Sequence, residues 1–283
     1  MSSSLRAARF LLWLAGLTTP VGAAILPSAA GDTAPQSPDA GEATAPDAAG
    51  EKPGLDGRRV GGRFLPNLGR NLVGVVSRDN LEPFLIVAGV TGVGAFFDDD
   101  VQSYFGAERR APWLGDAGEQ LGKPYIIVPM ALALYGAGRL DHRHQRFRDA
   151  TYDIAQLTVV AAAYTTVLKY ATQRKRPDGS DKLAFPSGHT SNAFAWATIG
   201  AHYYGWKVAV PGYAVAGLVG VSRMEKNAHY LSDVLAGAGL GYLSARAVIR
   251  KDSEPTGPGT HVSLAPARDA RGGGAGLAVT LTF

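Results

Sequence analysis

The sequence predicts an all-α fold: a bundle of six helices with a disordered N-terminal tether and a short C-terminal β-hairpin tail. Between residues 68 and 250, apolar segments of helical length alternate with short polar connections. Residues 25–67 are rich in Ala, Pro, Gly, Asp and Thr without a hydrophobic period, which indicates disorder. Residues 277–283 alternate between apolar and polar or small side chains, as a strand does.

The first 24 residues have the pattern of a secretory signal peptide. Arg6 and Arg9 precede an apolar run at 10–17, and small residues at 21–24 offer a cleavage site. An uncleaved membrane anchor is the alternative, because the apolar character continues through residues 25 and 26. The predicted organisation is therefore a signal peptide at 1–24, a linker at 25–67, a helical domain at 68–250 and a tail at 251–283.

The composition excludes several classes of function. With 283 residues, of which 46% are hydrophobic and 36 are Gly, the chain can bury a large core of closely packed helices. Its formal charge of +4 is modest, and no basic stripe is interleaved with aromatic residues, so we expect no nucleic-acid partner. The absence of Cys excludes thiolate catalysis, Cys-ligated metals and disulfides.

The six predicted helices each carry an apolar segment with recognisable ends. The first is closed by Asp98, Asp99 and Asp100; these could hold a cation, but consecutive side chains point in different directions, so we favour a solvated terminus. The sixth carries Gly237 and Gly241 on one face, which predicts a seam of close helix contact. The helices cover residues 81–97, 124–138, 151–170, 187–204, 208–221 and 228–248.

The Gly-rich tail is expected to form a hairpin. Residues 261–264 can pair with the final strand across the glycines at 272–274. One hairpin cannot close a membrane barrel, so we interpret it as a packed tail.

His142 and His144 lie in a basic connection between the second and third helices. The pair lacks a further carboxylate or imidazole at helical spacing, so we favour a solvated basic connection over a metal site. His202 and His261 are likewise assigned no chemistry.

The segment Pro186-Ser187-Gly188-His189 begins the fourth predicted helix. Ser and Gly are residue types that start helices and let a backbone approach a ligand closely. A helix N-terminus presents unpaired N–H groups to an anion such as phosphate, and the His189 imidazole there can donate a proton near neutral pH. A helix cap with a partly exposed histidine is the alternative for this segment taken alone.

His229 and Asp233 are spaced i, i+4, so we expect them on one face of the sixth helix. The carboxylate can then accept a hydrogen bond from one imidazole nitrogen and leave the other free to attack. Lys169, Arg176 and Arg223 can supply charge-assisted donors to phosphate oxygens. Each of these groups could instead be a solvated surface side chain, and their joint occurrence favours chemistry.

Three motifs in this order resemble those of the type 2 phosphatidic acid phosphatase (PAP2) superfamily, which includes bacterial acid phosphatases and vanadium haloperoxidases. They are Lys169-x6-Arg176-Pro177, Pro186-Ser187-Gly188-His189 and Ser222-Arg223-x5-His229-x3-Asp233. The resemblance extends over residues 68–248.

The resemblance implies a metal-independent phosphatase with no cofactor. By resemblance, His229 is the nucleophile that becomes a phosphohistidine, Asp233 orients it and His189 is the general acid. The implied phosphate-binding residues are Lys169, Arg176, Ser187, Gly188 and Arg223. The expected substrate is a phosphorylated lipid or a small periplasmic ester; a vanadate-dependent haloperoxidase and a non-catalytic binder of phosphate lipids are the alternatives.

The apolar segments are short for a membrane protein. Uninterrupted runs such as 84–97 and 125–138 fall below the roughly 20 residues that cross a bilayer. We therefore predict a periplasmic domain, soluble or in contact with the membrane surface. The alternative is an integral inner-membrane protein whose active site faces the periplasm.

Overall fold

The structure is a computed structural model that describes residues 59–106, 112–253, 261–268 and 275–282. The predicted signal peptide and most of the predicted linker, residues 25–58, lie outside the described residues. Helix α1 begins at Phe64, ahead of the predicted domain boundary at residue 68.

The described residues are predominantly helical, which confirms the all-α class. The described part of the chain holds nine α-helices instead of six, because three short helices, α1, α3 and α4, lack the long apolar runs used for prediction. The helices are α1 Phe64–Val75, α2 Leu81–Ala95, α3 Asp98–Gly106, α4 Pro112–Leu121, α5 Pro124–Leu140, α6 Gln145–Thr172, α7 Gly188–Tyr204, α8 Trp206–Glu225 and α9 Leu231–Ser253. Strands β1 (His261–Arg268) and β2 (Ala275–Thr282) pair antiparallel, with His261 opposite Thr282.

The main core lies between α6, α7 and α9. Leu157, Val160, Ile199 and Val248 are completely buried there. Helix α7 packs against α6, α8 and α9, while α4 lies on α8 and α2 on α9. The site described below is therefore built on the most extensively packed helices of the bundle.

The predicted glycine seam is confirmed. A methyl group on Gly237 would lie 2.5 Å from the carbonyl oxygen of Ser187, and one on Gly241 would lie 2.2 Å from that of Ser191. Only glycine lets α9 approach the backbone of α7 this closely. The first turns of the two helices are thereby brought side by side, and the Ser187 N–H donates to the Asp233 carbonyl at 2.9 Å.

A buried ion pair ties residue 59 to the middle of the bundle. Arg59 donates to both carboxylate oxygens of Asp153, at 2.8 and 3.1 Å, and Tyr203 Oη donates to the same carboxylate at 2.6 Å. Asp153 is completely buried, so this pairing offsets the cost of placing its charge in the core.

One helix in the described ranges, α6, is long and apolar enough to cross a membrane. The segments Arg78–Ala95 and Asp98–Phe105 are together also long and apolar enough to cross a membrane, but a 61° bend separates them. The core helix of a soluble protein can have the same length and apolar composition.

Candidate active site

Helix α7 begins at the turn that carries the second motif. Ser187 is its N-cap: its Oγ accepts hydrogen bonds from the Thr190 hydroxyl at 2.9 Å and from the Thr190 N–H at 3.5 Å. Gly188 is the first residue of the helix. The unpaired N–H groups of this first turn and the positive end of the helix dipole favour an anion at this position.

His189 lies in the same turn, beneath the C-terminal end of α4. Its Nε2 is 3.2 Å from the Glu119 carbonyl oxygen, and a methyl group on Gly122 would lie only 2.0 Å from its Cδ2. Burial, the charge of Arg223 and the neighbouring His229 together lower the pKa of His189 to about 3, with burial as the largest cause. The imidazole is therefore neutral at pH 7, and with a carbonyl acceptor at Nε2 it carries its proton on that nitrogen.

Helix α4 is fixed over the site by Lys226. Lys226 forms ion pairs with Asp116 and with Glu119, the latter at 3.1 Å, and Lys123 also pairs with Glu119 at 3.1 Å. The hydrogen bonds from Lys226 and Lys123 lower the pKa of Glu119 to about 2. The carboxylate is therefore ionised throughout the neutral range.

His229 is placed differently from the prediction. Helix α9 begins at Leu231, so His229 lies in the connection from α8 and not on the helix itself. The backbone N–H of His229 donates to the Arg223 carbonyl at 3.3 Å, and this hydrogen bond fixes the connection against the end of α8. Burial lowers its pKa, and the charges of Lys169 and Arg176 act in the same direction, while the carboxylate of Asp233 opposes them.

Asp233 caps the N-terminus of α9 with its side chain. Its Oδ2 accepts the N–H of Tyr230 at 2.9 Å, as the acidic residue of a capping box does. The same oxygen is 3.7 Å from His229 Nδ1, which is longer than a hydrogen bond. Nδ1 is buried and has no hydrogen-bond partner among the described residues. Contacts of this kind often tighten when substrate binds.

Arg174 and Asp98 form a network with Asp233 that was not predicted. Arg174 Nη1 donates to Asp233 Oδ1 and Nη2 donates to Asp98 Oδ2, both at 2.7 Å. Asp98 also accepts the N–H and the hydroxyl of Ser232. The prediction of a solvated terminus at Asp98 is therefore wrong: the residue is 4% exposed, because α3 turns it towards the start of α9.

Arg223 supplies free donors to the site. Its side chain is buried, and Nε and Nη1 have no hydrogen-bond partner among the described residues. Burial lowers the pKa of the guanidinium. Buried charged donors without partners are costly, so their presence points to an anionic ligand at this position.

Of the other two cations, Lys169 lies in the last turn of α6 and Arg176 lies in the loop between α6 and α7. Lys169 Nζ donates to the Leu183 carbonyl, and Arg176 Nε donates to Asp181 Oδ1 at 2.7 Å. Both side chains act electrostatically on His229, and Arg176 also acts on His189. The residues of all three motifs thus lie within electrostatic range of one another.

An apolar cavity of about 460 Å³ opens beside His189. It lies between α7 and α8 and extends to α5. Its walls include Ile127, Asn192, Ala193, Trp196, Val208 and Val215.

The structure brings together two histidines, a carboxylate, three cations and a helix N-terminus. In a helical protein, such a combination of groups is suited to binding an oxyanion such as phosphate. Residues 153–255 match the model of the family described as "PAP2 superfamily". This segment contains all three motifs, so the resemblance predicted from them is confirmed there.

Relatives with assigned names agree with this family. The chain is 47% identical over 78 residues to a lipid A 1-phosphatase of Porphyromonas gingivalis, covering 26% of this chain and 18% of the relative. It is 28% identical over 176 residues to a probable diacylglycerol pyrophosphate phosphatase 1 of Schizosaccharomyces pombe, covering 46% and 63%. The chain thus spans less than two thirds of either relative.

A solved structure has the same fold. The transmembrane PAP2 type phosphatidylglycerolphosphate phosphatase of Bacillus subtilis superposes with a TM-score of 0.52 at 22% identity. The alignment covers 62% of this chain and 96% of the other.

Proposed function

We propose that the protein is a metal-independent phosphatase that hydrolyses the phosphate monoester or pyrophosphate of a lipid through a phosphohistidine on His229. The observation that carries this proposal is the pair of buried Arg223 donors beside the first turn of α7, which have no hydrogen-bond partner within the described part of the chain. The three named relatives are phosphatases of phosphorylated lipids, which supports the same conclusion.

The proposed reaction has two steps. Nε2 of His229 attacks phosphorus and forms a P–N bond while the bond to the leaving oxygen breaks. The negative charge of the bound phosphate raises the pKa of His189, so that the ring enters the reaction as the imidazolium and donates a proton to that oxygen. The negative charge on the phosphoryl oxygens is stabilised by Lys169, Arg176, Arg223 and the backbone N–H groups of α7. Water then attacks phosphorus, His189 takes a proton from it, and phosphate leaves as the P–N bond breaks.

Asp233 is proposed to orient the nucleophile. A carboxylate near Nδ1 keeps the proton on that nitrogen, so that Nε2 presents its lone pair to phosphorus. Ser187, with its hydroxyl at the start of α7, is proposed to bind a phosphoryl oxygen.

The apolar cavity favours a lipid leaving group. His189, the proposed proton donor to the leaving oxygen, forms part of the cavity wall. A small hydrophilic ester would leave this wall in contact with water, whereas an acyl or prenyl chain would bury it.

The outer surface supports a location at the membrane. Helix α2 is apolar on all sides, yet Phe84, Leu85, Ile86 and Val93 are at least half exposed. Exposed apolar surface of this extent marks a contact with lipid or protein. We propose that this apolar surface is embedded in membrane lipid, which favours the integral alternative over the soluble or surface-bound domain predicted from the short apolar runs. Carbonate extraction of membranes tests this: retention in the pellet is the expected result, and release into the supernatant would contradict it.

The activity is tested with the purified full chain in detergent. We expect phosphate release from dioctanoyl phosphatidate in the presence of EDTA, a phosphoprotein that is stable to alkali and labile to acid, and loss of both in His229→Asn. Bromination of monochlorodimedone after vanadate loading, without phosphate release, would instead identify a haloperoxidase.

The leaving-group site is tested with Ala193→Phe, which narrows the cavity. We expect kcat/KM for the lipid to fall about tenfold or more, while that for p-nitrophenyl phosphate stays unchanged. Equal losses for both substrates would contradict a lipid-binding role of the cavity.

A further inference from the structure

Arg174 connects two buried carboxylates from distant parts of the chain. Its Nη1 donates to Asp233 Oδ1 and to Ser232 Oγ, both at 2.7 Å, and its Nη2 donates to Asp98 Oδ2 at 2.7 Å. The guanidinium lies 4.3 Å from the centre of the Tyr230 ring. It is thus held by hydrogen bonds at its edges and by an aromatic ring on its face.

Asp98 anchors this arrangement from outside the catalytic segment. It lies on α3, 134 residues before Ser232 and outside the matched region 153–255. Its Oδ1 accepts the Ser232 N–H at 2.8 Å and its Oδ2 accepts the Ser232 hydroxyl at 2.6 Å. With both oxygens engaged, Asp98 fixes Arg174 relative to the first turn of α9.

The two terminal nitrogens of Arg174 are both engaged by carboxylates. Arg223, in contrast, keeps buried donors without partners among the described residues. The geometry therefore separates the two arginines: Arg223 can bind the phosphoryl oxygens, whereas Arg174 acts on the Asp233 carboxylate.

We infer that Arg174, anchored by Asp98, is a positioning residue for the nucleophile. By holding Oδ1 of Asp233, it turns Oδ2 towards His229 Nδ1. Loss of Arg174 would leave a buried carboxylate oxygen without its charged partner, and the carboxylate would rotate to find another donor. His229 would then lose its orientation while the phosphate-binding groups stayed in place. This inference rests on the proposed phosphatase function.

Steady-state kinetics of the full chain distinguish a role of Arg174 in orienting the nucleophile from a role in binding phosphate. We expect Arg174→Gln to lower kcat about 10- to 100-fold, the range typical for residues that orient a reactive ligand. KM and the inhibition constant of vanadate should change by no more than about twofold, because phosphate binding is kept. Asp98→Asn should lower kcat to a smaller extent, since its oxygen still accepts the Ser232 N–H. Lys175→Gln, at the exposed neighbouring position, should behave as the wild type.

A double-mutant cycle tests whether Arg174 acts through Asp233. The variant Arg174→Gln/Asp233→Asn should be no slower than Asp233→Asn alone, within about threefold. The inference would be overturned if the fall in kcat of the double variant equalled the product of the two single falls. A rise in the inhibition constant of vanadate that matches the fall in kcat would also overturn it.

If Arg174→Gln does not fold, Arg174→Lys and Asp98→Asn take its place in the same cycle. A wild type without phosphatase activity would refute the proposed function; an active wild type with a fully active Arg174→Gln would refute only the positioning role.

Discussion

Gly122 lies directly against the imidazole of His189: a methyl group on its α-carbon would be 2.0 Å from Cδ2 and 2.3 Å from Cγ of the ring. We expect Gly122→Ala to displace the ring from the Glu119 carbonyl and to lower kcat for phosphatidate about 10-fold or more, as the loss of a positioned proton donor does. Gly136→Ala, whose new methyl group would meet nothing within 4 Å, should retain full activity. Full activity of Gly122→Ala would show that His189 does not need this orientation.

The contact between α9 and α7 predicts a loss of stability at Gly241. Its new methyl group in Gly241→Ala would lie 2.2 Å from the Ser191 carbonyl oxygen and 2.9 Å from the Ala195 nitrogen, and backbone atoms inside a packed bundle yield little. We expect a destabilisation of about 1–3 kcal/mol, seen as a lower midpoint of thermal unfolding in detergent.

Gly92→Ala is the matched control for this contact. Gly92 lies on α2 with nothing within 4 Å of its added methyl group, so the better helix former should stabilise this variant slightly. Equal midpoints for Gly241→Ala and the wild type would show that the two helices can separate without cost.

The Arg59–Asp153 pair predicts that residue 59 stabilises the bundle without taking part in catalysis. In Arg59→Met, the completely buried Asp153 would keep only its hydrogen bond from Tyr203. Breaking a buried pair on one side costs about 3–5 kcal/mol, so the unfolding midpoint should fall clearly while kcat of the remaining folded protein stays the same. Arg63→Met, at an exposed position nearby, should leave both quantities unchanged, and an unchanged midpoint in Arg59→Met would contradict the pairing.

The long helices and the resemblance to the PAP2 superfamily could be predicted from the sequence because both depend on local patterns. The helices corresponding to α6 and α7 were predicted within a few residues at most ends, since their apolar residues recur at helical spacing. Helix α4 was missed because Gly115 and Gly118 lower its helix propensity; here they allow close packing on Lys226 and Ser222.

The environment of the proposed nucleophile could not be predicted in the same way. Asp98 was misinterpreted because its partner, Ser232, is 134 residues away and no periodicity links the two. Arg174 was grouped with its basic neighbours, although it alone of that run bridges two carboxylates in the described structure. Residue types and spacing therefore indicated the proposed phosphate-binding groups, but only the packing of α3 against α9 revealed what holds Asp233.

The low pKa of His189 predicts that acid destabilises the protein before its carboxylates are protonated. An unfolded histidine binds a proton near pH 6.5, whereas burial and Arg223 hold the pKa of His189 at about 3 in the folded state. Between these pH values, the His189 side chain binds more protons in the unfolded chain than in the folded protein. The contribution of His189 to the free energy of unfolding is therefore complete above pH 6.5 and falls as the pH drops towards 3. At pH 5 the loss is about 2 kcal/mol. Thermal unfolding at pH 7.5 and 5.0 should show a smaller acid loss in His189→Asn than in the wild type or in His142→Asn, the control at an exposed position. An equal acid loss in all three proteins would mean that the His189 ring takes up a proton within the folded site.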